Sequence, residues 1–117
     1  MDISARLEKL GEKIRAAVFE TQVELSKIAL EDCNKFCKAD TGETLVSSYK
    51  ASDFAKGKLI WASKHARHAY YLGEADRSKN PMASRLWAHK AAALFNEKWL
   101  REAKRKFISA MSGGKQQ

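Results

Sequence analysis

The 117-residue sequence has little of several features that mark particular protein classes: it contains one proline, two cysteines and six glycines. No apolar run is long enough to cross a bilayer, and the start, MDISARLEKLGEK, is not typical of a signal peptide. We therefore expect synthesis in the cytoplasm, no membrane partner, and reduced thiols at Cys33 and Cys37. The length fits one domain, 1–117, with one modest core.

The sequence patterns of common enzymes and metal sites are also scarce. It has no G-x-S-x-G nucleophile elbow and no glycine-rich phosphate loop, so we expect neither catalysis nor a cofactor. Two pairs of potential zinc ligands, Cys33 with Cys37 and His65 with His68, are each about one helical turn apart. The cysteines fall on an apolar helix face, where free cysteine behaves as a small hydrophobe, so a core position is favoured over a metal site.

The tripeptide Asp40-Thr41-Gly42 matches the one that carries the catalytic aspartate of retroviral-type aspartic proteases. Such enzymes pair two carboxylates that share one proton, each in a loop that follows an apolar strand. Here the preceding residues, CNKFCKA, continue a helix, and the glycine-ended strand that crosses behind such a loop is missing. We interpret Asp40 and Thr41 as caps of a short helical turn containing Leu45, with Gly42 allowing the turn.

Charge is unevenly distributed along this basic chain, whose formal net charge is +8. Residues 1–38 hold seven acids and seven bases, so the whole excess lies downstream. A basic chain can meet nucleic acid or an acidic protein surface. The last helix combines the tryptophans Trp87 and Trp99 with the cations Lys90, Lys98, Arg101, Lys104, Arg105 and Lys106. Nucleic-acid binding is therefore one alternative function, although both tryptophans fall on an apolar ridge that favours the core.

Helical periodicity dominates both ends of the chain. Apolar residues recur every three or four positions over 1–38, which predicts one long helix whose stripe packs on a neighbouring subunit or on the protein's own sheet. A second long helix is predicted over 83–111, followed by a flexible tail at 112–117. Its ridge repeats every four residues: Trp87, Ala91, Phe95, Trp99, Ala103, Phe107 and Met111.

The middle of the chain, 39–73, contains the only β signal. SSYKASD and KLIWAS predict two strands of an antiparallel hairpin, with a turn centred on Lys56-Gly57. KHARHAYYLG predicts a short helix that ends at Gly73, and the polar segment 74–82 predicts an exposed loop. The expected fold class is α+β: a long N-terminal helix, a small antiparallel β-hairpin sheet with a short helix, and a long C-terminal helix.

The order of motifs in this middle region resembles that of small neck proteins of tailed bacteriophages, known as minor capsid or tail-completion proteins. In that family a Thr-Gly segment with a following Leu and Ser comes after a long helix. A strand ending in tryptophan, an alanine-arginine stretch, aromatics and a glycine follow. The matching residues are Asp40, Thr41, Gly42, Leu45, Ser48, Trp61, Ala66, Arg67, Tyr70, Tyr71 and Gly73. The chain departs from the family at Lys64-His65, where proline-tyrosine is usual, and at Leu72, which is one extra residue.

This resemblance implies a structural role in the virion without catalysis. Members form rings at the head–tail junction and join the portal or head-closure side to the tail tube. The expected partners are copies of the same chain in a six-fold ring, other neck proteins, portal or head-closure proteins and tail-tube proteins, with non-specific contact to passing DNA. Most matching residues would hold the fold together, with Trp61, Tyr70 and Tyr71 as core or interface anchors.

Overall fold

The computed structural model describes residues 2–37, 42–72, 80 and 82–113, and helix accounts for 75% of these residues. The α-helices are α1 (Ile3–Asn34), α2 (Glu43–Ala51), α3 (Ala66–Tyr71) and α4 (Trp87–Met111), with one 3₁₀ turn at Phe54–Lys56. The capping pair Asp40-Thr41, the helix end Gly73, most of the predicted loop and the end of the predicted tail lie outside the described residues.

The predicted α+β class is wrong, because the described part of the chain contains helices and no strand. Most of the first predicted strand, SSYKASD, belongs to α2. The antiparallel pairing between the two predicted strands is a single bridge, in which Asp53 and Lys58 exchange hydrogen bonds of 2.8 and 2.9 Å. Gly57 adopts a left-handed conformation (φ 67°) at this turn, so the chain does reverse where the hairpin turn was predicted.

Serine hydroxyls explain why the reversal does not grow into a hairpin. The hydroxyls of Ser47 and Ser48 donate 2.6 Å hydrogen bonds to carbonyls three residues earlier, which suits the helical backbone of α2. The second predicted strand meets side chains in place of a partner strand. The Ile60 N–H donates to Ser52 Oγ (2.9 Å), and the Ala62 N–H donates to Ser47 Oγ (3.1 Å). These hydroxyls therefore accept hydrogen bonds from backbone N–H groups that would otherwise pair with a neighbouring strand.

The body of the molecule is built around the antiparallel pair of α1 and α4. Asp32 contacts Lys98 and Trp99, and four residues later, just past the end of α1, the ring of Phe36 stacks on Phe95 at 6.1 Å. The residue numbers of the contacting pairs therefore rise along one helix as they fall along the other, so the two helices are antiparallel. The fully packed core lies at the start of α4 and consists of Cys33, Phe36, Cys37, Trp87 and Ala91.

The first half of α1 projects from this body, and the molecule measures 65 × 25 × 22 Å. Extending the antiparallel register at the same rise along both helices places the end of α4 opposite about residue 20 of α1. Six large apolar side chains before that point are 38–62% exposed, and five of them form a stripe along one face: Ile3, Leu7, Leu10, Ile14 and Val18. The described residues provide no sheet for this stripe to cover, so it is left open. No helix among them has the length and apolar character of a membrane span.

Helix α4 begins later than predicted, at Trp87. The residue before it, Leu86, has a left-handed backbone (φ 52°), which is uncommon for a bulky side chain. Its N–H donates a 2.8 Å hydrogen bond to the carbonyl of Tyr70 near the end of α3. This bond ties α3 to the start of α4 and holds Trp87 in the core.

Candidate functional site

A buried amide joins several of the residues that resemble the neck-protein pattern. Trp61 Nε1 donates to Asn34 Oδ1 (2.8 Å), Asn34 Nδ2 donates to Ser48 Oγ (2.9 Å), and Ser48 Oγ donates to the carbonyl of Leu45 (2.6 Å). We call these four residues the motif cluster. Three elements distant in sequence meet there: the end of α1, helix α2 and the segment after the 3₁₀ turn.

Sequence reasoning missed Asn34, the centre of the motif cluster. It lies four positions after Leu30 and three before Cys37, both fully buried, so it continues an apolar face of α1. An amide at such a position has to find hydrogen-bond partners, because an unpaired buried polar group is costly. The position of an amide on an apolar helix face could therefore have identified Asn34 from the sequence. The periodicity alone did not identify its hydrogen-bond partners.

Four further matching residues, all in α3, line one cavity of about 340 Å³ together with Trp61, and this cavity is called here the aromatic pocket. Its walls are Trp61, Ala66, Arg67, Tyr70, Tyr71 and Trp87. Five of these six come from the resemblance, and Trp87 is added by α4. Gly42 lies apart from the pocket: it precedes α2 with φ 76°, and a Cβ there would meet no atom within 4 Å among the described residues.

Contacts between aromatic rings form the inner wall of the aromatic pocket. The Tyr70 ring lies 4.7 Å from that of Trp87 and 5.0 Å from that of Tyr71, and Trp61 meets Trp87 edge-on at 5.9 Å. The Tyr70 hydroxyl hydrogen-bonds to His89 Nδ1 and accepts from the His89 N–H at 3.2 Å. Burial raises the pKa of Tyr70, so its hydroxyl stays protonated at neutral pH. Trp87 is 0% exposed, and its Nε1 has no hydrogen-bond partner among the described residues.

The outer rim of the aromatic pocket carries one cation, Arg67. Arg67 is exposed and forms no ion pair within the described parts of the chain, and Tyr71 beside it is 55% exposed. No aspartate or glutamate occurs at positions 54–72 or 82–96, whereas Lys56, Lys58, Lys64, Arg85 and Lys90 do. Guanidinium groups only donate hydrogen bonds, and aromatic faces stack on planar groups. The rim is therefore suited to planar or anionic groups.

A second buried polar group, Asp32, joins α1 to α4. Its carboxylate is 2% exposed and accepts from Lys98 Nζ (2.8 and 3.0 Å) and Trp99 Nε1 (2.7 Å), with Lys35 Nζ also at 2.8 Å. Burial by itself raises the pKa of Asp32, but the hydrogen bonds from Lys35, Lys98 and Trp99 outweigh it and hold the pKa below its ordinary value.

These internal contacts reduce the basic face predicted for the last helix. Lys98 and Trp99 are engaged by Asp32, and Lys90 Nζ lies 4.9 Å above the ring of Phe36. Trp87 is in the core, as the apolar ridge favoured. The aromatics of α4 therefore serve packing, whereas Arg67 on α3 is an exposed cation that lines the aromatic pocket.

The zinc alternative receives no support from the arrangement of potential ligands. Cys33 and Cys37 are buried in the core, and burial raises the pKa of their thiols to about 11 and about 12, so both are protonated at neutral pH. His65 and His68 are exposed at and within α3. The described residues contain no group of three or more His, Cys, Asp or Glu side chains placed to hold a metal ion.

Three features thus stand out: the motif cluster, the aromatic pocket with its exposed cation Arg67, and the open apolar stripe of α1. Because α1 and α4 are antiparallel, the pocket and the stripe lie towards opposite ends of the long axis. Comparisons of the chain with protein-family models, with curated proteins and with solved structures gave no match.

Proposed function

We propose that this chain is a structural virion protein of a tailed phage, placed at the head–tail junction as a tail-completion or neck ring protein. It would connect the portal or head-closure side to the tail tube without catalysis. The observation that carries the proposal is the convergence of the neck-pattern residues. Leu45, Ser48 and Trp61 meet through Asn34. Trp61 also lines the adjoining aromatic pocket, together with four further pattern residues: Ala66, Arg67, Tyr70 and Tyr71.

The way this chain uses its buried polar groups supports a structural role. Asp32 and Asn34 both direct their hydrogen bonds at residues of other elements and so fix the body. A buried polar network whose members are satisfied rigidifies a core and selects one arrangement of its elements. A rigid body of this kind is what a connector needs when it transmits contacts between neighbours.

The positions of the open surfaces also favour a connector. The aromatic pocket and the apolar stripe are chemically different and lie towards opposite ends of a 65 Å molecule. A ring closes when each copy presents two complementary surfaces related by rotation, and a junction protein needs further contacts on its two sides. A chain with separate aromatic-cationic and aliphatic surfaces can meet both requirements.

Deletion of the coding gene in its own genome tests the proposal. We expect DNA-filled heads and separate tails that do not join, with infectivity restored by the wild-type chain supplied in trans. Variants at Asn34 and Asn96 form a matched pair for complementation, since both remove one amide but only Asn34 lies in the motif cluster. Complete, infectious particles formed without the chain would contradict the proposal.

Nucleic-acid binding remains the alternative, and one observation favours it. Arg67 is unpaired among the described residues, adjoins the exposed ring of Tyr71, and lies in a stretch without described acids. Cations beside exposed aromatics can hold phosphates and stack bases. A gel shift at submicromolar protein that weakens with salt and is lost in Arg67→Gln would favour this alternative over the neck role.

A further inference from the structure

The open stripe of α1 has the spacing of a coiled-coil seam. We call residues 3–18 the arm. Its exposed apolar side chains follow one another at intervals of four, three, four and four residues: Ile3, Leu7, Leu10, Ile14 and Val18. The first four alternate between the two seam positions of a heptad, with Leu7 and Ile14 at one and Ile3 and Leu10 at the other. Such a seam is narrower than the face of a helix that packs on a globular core.

Charge on the arm argues for a second copy as the occupant of this seam. Over residues 2–18 three acids nearly offset four bases, whereas the whole chain carries +8. Two arms can therefore approach with little net repulsion, while the rest of the surface would repel another copy. The near-neutral arm also gives no preference for a strongly acidic or strongly basic partner.

The residues that flank the seam select the direction of pairing. Arg6 and Lys13 flank it on one side, and the uncharged Ser4 and Gly11 flank it on the other. In parallel pairing each cationic flank faces the uncharged flank of its neighbour. In antiparallel pairing along the full arm, Arg6 would face Lys13 of the other copy, and like charges at these positions are unfavourable.

We propose that the arm is a self-association surface, through which copies of this chain pair in parallel along Ile3, Leu7, Leu10, Ile14 and Val18. Parallel arms gather the bodies around one axis, as in a cyclic assembly. The inference deepens the proposed neck function and rests on it only for the idea that several copies act together. A seam of 16 residues is about 24 Å long, so the association is expected to depend on protein concentration.

Sedimentation velocity of the full chain over a concentration series tests the inference. We expect a reversible monomer–oligomer equilibrium for the wild type. Leu7→Glu/Leu10→Glu places two carboxylates in the seam and should leave a monomer at all concentrations. The control Ala5→Glu/Ala16→Glu adds the same charge at exposed positions on the opposite face and should associate as the wild type does. Circular dichroism checks that both variants stay folded, which is expected because these side chains are exposed.

Cross-linking tests the direction. Ile3→Cys near the tip of the arm should form a disulfide between copies under mild oxidation, because parallel pairing places the two positions together. The native thiols are buried and should not interfere. A wild type that stays monomeric throughout, or Leu7→Glu/Leu10→Glu that associates as well as the control, would overturn the inference. Association without the Ile3→Cys cross-link would overturn the parallel arrangement. A monomeric chain that is nonetheless required to join heads to tails would refute the arm inference alone and leave the neck proposal standing.

Discussion

The indole Nε1 of Trp61 donates a 2.8 Å hydrogen bond to the side-chain oxygen of Asn34, 27 positions earlier in the chain. The same amide donates to Ser48, so one side chain of α1 holds both α2 and the segment after the 3₁₀ turn. This relationship explains how residues that are spread along the sequence form one unit. It also makes Asn34 the residue whose loss should disturb that unit most.

Asn34→Ala should destabilise the protein by about 1–3 kcal/mol, because the Trp61 indole loses its acceptor and the buried Ser48 hydroxyl loses its donor. Urea unfolding followed by circular dichroism measures the change. Asn96→Ala on the exposed part of α4 is the matched control and should stay within about 0.5 kcal/mol of the wild type. Equal stability of the two variants would show that the motif cluster does not hold the fold.

Asp32 should make stability depend on pH under acidic conditions. Its folded pKa is lowered, so the stabilisation is present above the unfolded value near 3.8 and is lost as pH falls through the folded pKa. Asp32→Asn should lower the free energy of unfolding at pH 7 by about 1–3 kcal/mol and flatten its dependence on pH below 4. Urea midpoints at pH 7, 4 and 3 measure both effects. The exposed Glu12→Gln is the control, and a slope for Asp32→Asn as steep as that of the control would contradict this role.

Two glycines should respond to alanine with opposite signs. Gly11 is helical, and a Cβ there meets only the mobile guanidinium of Arg15, so Gly11→Ala should stabilise the arm by about 0.5–1 kcal/mol. Gly57 has φ 67°, and a Cβ would lie 3.2 Å from the Gln22 side chain, so Gly57→Ala should destabilise by about 1–2 kcal/mol. Amide exchange over the arm and urea unfolding measure the two effects, and changes of the same sign would contradict the assigned conformations.

The two thiols should be unreactive in the folded protein. Burial, with a smaller contribution from the Asp32 charge, raises the pKa of Cys33 to about 11, and burial, with the neighbouring Cys33, raises that of Cys37 to about 12. A thiol reagent at pH 8 should modify neither within the time needed for complete reaction in urea. Rapid modification of the native chain would show that the core around Trp87 opens.

The long helices could be predicted from the sequence because each has an apolar stripe that repeats over many turns. The start of α4 could not be predicted in the same way, since the left-handed Leu86 and its hydrogen bond to Tyr70 depend on α3. The hairpin prediction was wrong because serine hydroxyls take the place of a partner strand. Ser47 and Ser52 accept the N–H groups of Ala62 and Ile60, and loose alternation in a short segment does not reveal such side-chain partners.

The candidate site was predictable in composition but not in geometry. The resemblance named five of the six residues that line the aromatic pocket, and the sixth, Trp87, comes from α4. Trp87 was expected in the core, and its contact with Tyr70 depends on how α3 meets α4. Asn34 required knowledge of which side chains face the end of α1. Such long-range contacts depend on tertiary packing, which the local periodicity of a sequence does not reveal.

Imaging the head–tail junction of intact particles tests the central claim most directly. Cryo-electron microscopy of purified virions, with mass spectrometry of the same sample, measures whether the chain is present and where. The account predicts a ring of copies at the junction, each showing the long antiparallel pair of α1 and α4, with arms gathered side by side. Particles that lack the chain, or that carry it away from the junction, would contradict the account.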